Sequence, residues 1–204
     1  MRFIRSAFGL FMIMGGIGLC VFAPLSASAQ TTIHEAREQL GSEVTVEGTV
    51  TRAYGSYARI QDTSGPTDVS AIVIRQTSGT NSEAFQADIA DGTIQPGTRI
   101  QVTGTPSAFY GLIQINGDNL DSYTIQGQAD PPSPQSVTLS ELKNSGEDYE
   151  SELVRIDGLR FSGTSGLFEN RTTYTVENGA GTRFEFRVQD DAETAIGGAS
   201  IPQS

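Results

Sequence analysis

The run Val44-Thr45-Val46-Glu47-Gly48-Thr49-Val50 alternates apolar and polar residues and carries a glycine near its end. Alternation of period two marks a strand with one buried face. A glycine inside such a strand marks a bend or the close approach of another backbone, as at a barrel corner. The run returns as Leu153-Val154-Arg155-Ile156-Asp157-Gly158-Leu159, and more loosely as Ile100-Gln101-Val102-Thr103-Gly104-Thr105. The first two copies also share a lead-in. Thr32-Ile33-His34-Glu35 and Thr138-Leu139-Ser140-Glu141 both fit a capping box, with Thr as N-cap and Glu at the third helical position. Each predicts a short helix, the first ending at Gly41 and the second near Gly146. A whole unit is therefore repeated. The looser copy at Ile100 is a later strand of the first unit.

The ends bound where the chain works. Arg2 and Arg5 form a basic start, Phe8 to Phe22 is an apolar stretch, and Ala27-Ser28-Ala29 precedes Gln30 as a cleavage signal. This predicts a signal peptide over residues 1–29 and a secreted or periplasmic protein with no membrane span after cleavage. Lipidation at Cys20 ranks lower, because the bulky Leu19 precedes it. Cleavage would remove Cys20, the only cysteine, so the exported chain would have neither disulfide nor thiol chemistry. The formal net charge is −11, and losing Arg2 and Arg5 makes the remainder more acidic still. Lys143 is the single lysine. Most of such a surface repels nucleic-acid phosphates.

Three prolines crowd Gln128-Ala129-Asp130-Pro131-Pro132-Ser133-Pro134-Gln135, the composition of a semi-rigid spacer. It divides the chain into residues 31–127 and a shorter unit, 136–204. In the first, strands are expected at 43–53, 57–61, 69–75 and 99–105. A fifth starts at 112–115 and resumes at 122–125. Residues 82–90 read as a helix, with Phe85 and Ile89 on one face. Five strands with a helix between the third and fourth is the layout of an OB-fold, a small Greek-key barrel. The second unit offers strands at 152–161, 173–177 and 183–188, then runs out. The fold class is thus all-β, a tandem OB-fold built from a five-stranded Greek-key barrel with short helices, its second barrel incomplete. That barrel is expected to be completed by chain beyond Ser204 or by a partner.

The runs V-T-V-E-G-T-V, Y-A-R-I-Q-D-T-S-G, P-G-T-R-I-Q-V-T-G-T and F-Y-G-L-I-Q-I together resemble bacterial exported OB-fold domains. The resemblance covers nearly all of residues 31–126. It implies kinship with the nucleic-acid-binding OB superfamily, whose exported members stand beside extracellular nuclease or phosphoesterase domains or in surface proteins.

Enzymatic chemistry finds little footing. Beyond residue 29 there is one histidine, His34, expected on a helix surface, and no cysteine, which excludes a Cys/His zinc cluster. No phosphate loop or nucleophile elbow occurs. Asn116, Asp118 and Asp121 lack the spacing of a calcium loop and read as a polar turn after strand five, and Asp190-Asp191 reads as a solvated turn. Asn170-Arg171-Thr172 is a glycosylation triplet of little weight. No cofactor and no metal site are expected.

A binding cleft is the better candidate. OB-folds bind across strands two and three, between the loops joining strands one to two and four to five. Tyr54 and Tyr57 flank the first loop, with Arg52 and Arg59 beside them, and Phe109 and Tyr110 stand at the second. Stacking rings with nearby arginines suit single-stranded nucleic acid or a polysaccharide. The competing reading has these rings plugging the barrel ends. Phe161, Phe168, Arg160 and Arg171 hold similar places in the second unit. The expectation is an exported, non-enzymatic binding or accessory module. The alternatives are the non-catalytic front of a longer secreted nuclease or phosphoesterase, or a module that docks an envelope protein.

Overall fold

The computed structural model describes residues 30–189 and 196–202. The expected leader with Cys20, the Asp190-Asp191 turn and the last two residues lie outside the described residues.

The first unit runs α1 (Ile33–Glu38), β1 (Val44–Tyr54), β2 (Tyr57–Asp62), β3 (Ser70–Gln76), α2 (Ser82–Ala90), β4 (Thr98–Phe109) and β5 (Leu112–Gln128). The strands close into a barrel of order β1-β2-β3-β5-β4. β3 and β5 are parallel, whereas β4 returns antiparallel to β1. That topology, with α2 between β3 and β4, is the OB-fold. Period two decides the interior. Val44, Val46 and Val50 of β1, Ala58 and Ile60 of β2, and Ile72 and Ile74 of β3 fill the core with Ile100, Val102 and Ile115. The ends are closed by Ile33 and Ala36 of α1 and by Phe85 of α2, with Ile89 partly buried against it.

Gly48 has the role its strand requires. A Cβ there would meet the Gln61 carbonyl at 3.0 Å, the Ile33 Cδ1 at 3.1 Å and the Ile60 Cβ at 3.2 Å. β1 bends at this point, passing from its ladder with β4 to its ladder with β2. The second copy behaves otherwise, correcting the expected strand over 152–161. Gly158 has φ +71° with nothing within 4 Å of its position, and the strand splits there. Its pieces are β7 (Val154–Arg155) and β8 (Arg160–Phe161). With no barrel partner crossing it, the same phrase turns instead of bending.

β5 needs a second correction. It runs unbroken from Leu112 to Gln128, and the polar run from Asn116 to Asp121 lies within it rather than after it. The ladder with β4 slips there, pairing Gly104 with Leu120 but Pro106 with Ile115. A Cβ on Gly104 would lie 2.4 Å from the Asn119 carbonyl, so only glycine admits this bulge.

The second unit comprises β6 (Gln135–Ser136), α3 (Leu139–Asn144), a 3-10 helix (Gly146–Tyr149), β7, β8, β9 (Thr172–Glu177) and β10 (Arg183–Val188). The lead-in is repeated in detail. Both capping boxes form, and their hydrogen bonds to Thr32 and Thr138 hold Glu35 and Glu141 below the usual carboxylate pKa. Thr31 N–H donates to the Thr45 carbonyl and Val137 N–H to the Arg155 carbonyl, both at 2.9 Å, at equivalent positions of the two copies. Beyond that the strands form a β10-β9-β8 sheet and a β6-β7 pair, and among the described residues no second barrel closes.

Candidate functional site

The β1–β2 hairpin carries the site, and one residue of it sets the aim. Strict alternation after Val44, Val46 and Val50 would send Arg52 into the core. The ladder instead pairs Val50 with Ile60 and then Arg52 with Arg59, leaving Thr51 as an extra residue. This β-bulge reverses the parity of the residues after it. Arg52 and Tyr54 turn outward, opposite Arg59 and Tyr57, while Ala53 packs against the core.

Tyr54 and Tyr57 close the hairpin around Gly55, whose φ is +53°. Their rings stack with centroids 5.2 Å apart and planes at 20°. Arg52 lies over the Tyr54 ring at 5.2 Å, and Arg75 over the Tyr57 ring at 5.3 Å. Arg75 also donates through Nε to the Tyr57 hydroxyl at 2.6 Å and through Nη1 to Asn116 Oδ1 at 3.0 Å. Sequence reading missed Arg75. The signal was its register, since the β2–β3 ladder pairs Tyr57 with Arg75.

Arg52, Arg59 and Arg75 thus share one outer face. Among the described residues none of them pairs with a carboxylate, whereas Arg37, Arg99, Arg155, Arg160 and Arg183 all do. Arg52 and Arg59 are also directly opposite each other, and like charges so placed destabilise a sheet.

Phe109 and Tyr110 meet each other, edge to face at 4.7 Å, on the β4–β5 hairpin. They stand at the other end of the β2–β3–β5 strip, for the strand they open pairs Gln114 with Val73, away from the Tyr57–Arg75 rung. The structure therefore makes two aromatic pairs bracketing one face. Tyr110 is 96% exposed and Phe109 48%, so neither plugs the barrel. Tyr110 sits at φ +51°, strained for a bulky residue.

The middle of the strip is covered. Ala71 and Val73 point away from the core, yet each is 1% exposed. The 3-10 helix lies against β3. Leu153 N–H donates to Gln61 Oε1 at 3.4 Å, and Glu150 Oε1 accepts from Ile113 N–H at 3.0 Å and from Arg37 at 2.9 Å.

The second-unit candidates are corrected. Phe168 is 8% exposed in a cluster with Tyr174, Val188 and Ile201, and Phe161 packs against it, so these rings build a core. Arg160 pairs with Glu177 at 2.8 Å, and Arg171 holds φ +59° before β9. His34 is half-buried, its N–H donating to Ser64 Oγ at 3.2 Å. Among the described residues no cluster of His, Asp and Glu is placed to hold a metal.

No protein-family model matches the chain. A curated relative, Endonuclease YhcR of Bacillus subtilis (strain 168), is 29% identical over 132 residues, covering 64% of this chain and 10% of that protein. The chain thus spans about a tenth of that relative's length. Among solved structures, the aspartyl tRNA synthetase from Entamoeba histolytica is similar with a TM-score of 0.40 and 16% identity, over 72% of this chain and 34% of that one. OBody AM3L09 bound to hen egg-white lysozyme has a TM-score of 0.36 and 18% identity, over 49% of this chain and 97% of that one.

Proposed function

We propose that this protein is an exported, non-catalytic OB-fold module that binds single-stranded nucleic acid on the outer face of β1, β2 and β3. The observation that carries the reading is the cluster of Arg52, Arg59 and Arg75. In an acidic chain where five other arginines pair with carboxylates, these three do not among the described residues, and they share one face beside stacked tyrosines. Guanidinium groups track a phosphate backbone, and the rings offer bases a sequence-tolerant platform. Phe109 and Tyr110 extend the platform at the far end.

The endonuclease relative favours an accessory role beside a catalytic part, of which this chain would be the binding front. Export rests on the leader-like residues 1–29. The proposed units meet at residues 128–135, where β5 ends at Gln128 and β6 begins at Gln135.

Fluorescence anisotropy with single-stranded oligothymidylate tests the reading. Binding at low salt that weakens about tenfold or more in Tyr57→Ala is expected, from the energy of one stacked base. A neutral polysaccharide as the better ligand, bound without salt dependence, would replace it.

A further inference from the structure

The segment that covers the middle of the strip is acidic. Gly146-Glu147-Asp148-Tyr149-Glu150-Ser151-Glu152 carries four carboxylates, and its 3-10 helix lies against β3. Glu150 takes the Arg37 guanidinium, and Glu152 Oε1 accepts from the Thr67 hydroxyl at 3.0 Å. Gln135 ties the spacer to the same place, its Nε2 donating to the Thr67 carbonyl at 3.0 Å. The face that carries the arginine cluster at one end thus holds an anionic stretch of the protein's own chain in its middle.

This contact is badly satisfied for a permanent one. The Ser151 Oγ and Glu152 Oε2 of the segment and the Gln135 Oε1 of the spacer are buried without a partner in the protein, as are both amide atoms of Gln114, the residue after Ile113. Polar atoms that give up water without replacement oppose docking. Ser151 also sits at φ +67°, a left-handed conformation that costs a non-glycine residue energy. What favours docking is charge-assisted, chiefly the Arg37–Glu150 pair. A phosphate offers Arg37 the same kind of partner.

We infer that residues 146–153 are an internal competitor, whose carboxylates occupy the middle of the face in place of a strand's phosphates and are displaced when the strand binds. The inference rests on the reading of this face as a strand-binding surface. Arg37 then changes partners, from Glu150 to the ligand, and the bound strand gains the covered part of the strip between the two aromatic pairs.

Two readouts separate the contact from binding: hydrogen exchange at the Ile113 amide, which Glu150 protects, and anisotropy with single-stranded oligothymidylate. Adding the oligonucleotide to the unaltered protein should speed exchange at Ile113. Glu150→Gln should speed it without ligand and tighten binding about fivefold or more, the usual scale of coupling between linked events. Glu43→Gln removes the same charge at an exposed position ahead of β1 and should tighten binding much less. Ser151→Gly, which leaves charge unchanged and relieves both the strain and the buried hydroxyl, should slow exchange and weaken binding. If the oligonucleotide binds but leaves Ile113 exchange unaltered, or Ser151→Gly slows exchange at constant affinity, the competitor idea fails and the binding face stands. If no variant binds any oligonucleotide, the binding reading fails and the competitor goes with it.

Discussion

Arg37 and Glu150 stand 113 positions apart and meet at 2.9 Å, each side chain about 15% exposed. Each also satisfies a backbone group where the parallel ladder of β3 and β5 begins. Arg37 Nη1 donates to the Ala71 carbonyl at 2.8 Å, and Glu150 Oε1 accepts from Ile113 N–H at 3.0 Å. The pair is thereby an extra rung between two strands as well as a link between the barrel and the second unit. Glu150→Ala leaves a largely buried guanidinium without its counter-ion and the Ile113 amide without its acceptor, and should cost about 2 kcal/mol. Urea denaturation measures it. A loss below about 0.5 kcal/mol, the level of an exposed pair, would show that the pair does not act as a rung.

The bulge at Thr51 is the second determinant. Deleting Thr51 removes the extra residue and lets Arg52 follow Val50 directly, so that Arg52 and Tyr54 stay outward and Ala53 inward on the same partners. Stability should fall by no more than about 1 kcal/mol, and oligonucleotide affinity should hold because the stacked tyrosine pair is kept. Thermal unfolding with oligonucleotide binding checks both effects. A deletion variant that loses the affinity would show that Thr51 does more than take up the change of parity in this hairpin.

These two devices mark what sequence could and could not say. Period-two alternation placed the first four strands and the start of the fifth, and α2 lies at residues 82–90 as expected. Local pattern settles such elements because burial of one face decides them. The bulge left only the odd spacing of Val50 and Ala53 as a trace. Arg75 became part of the site through its register with Tyr57, a relation between strands that no local pattern contains. Gly158 departs from expectation for the same reason. Gly48 bends because β2 and α1 crowd it, whereas nothing crosses Gly158.

The opposed arginines predict a trade between stability and function. Arg59→Thr removes the like-charge pair with Arg52 and places a β-branched residue in β2. The free protein should gain about 0.5 kcal/mol while oligonucleotide affinity falls. Melting temperature and anisotropy on the same samples test it. A variant that loses stability would show that the pair carries no repulsion.

Glu152 makes the protein sensitive to pH. Burial pushes its carboxyl up to about 7, Asp148 adds to the rise, and the Thr67 hydroxyl and Arg37 oppose it. Tyr149 lies near enough to feel the Glu152 charge, and Glu150 is two residues away. A carboxyl with a folded pKa above its unfolded value is more protonated in the native state between the two. Its contribution is most favourable below the unfolded value of about 4.3, declines as pH rises towards about 7, and is level above. The difference in stability between the unaltered protein and Glu152→Gln, measured by urea denaturation across that window, isolates this group from the other carboxylates. The difference should move against the unaltered protein as pH rises. A difference independent of pH would mean that Glu152 is not desolvated in solution.

The most direct measurement is the salt dependence of oligothymidylate binding, compared with that of the combined Arg52→Ala, Arg59→Ala, Arg75→Ala variant. Three phosphate contacts on a single strand give a slope of about −2 in log K against log salt. The unaltered protein should bind at low salt with at least that slope, and the variant should lose most of the affinity and flatten by about 2. Absence of binding at low salt, or an unchanged slope in the variant, would contradict a nucleic-acid-binding face at these arginines.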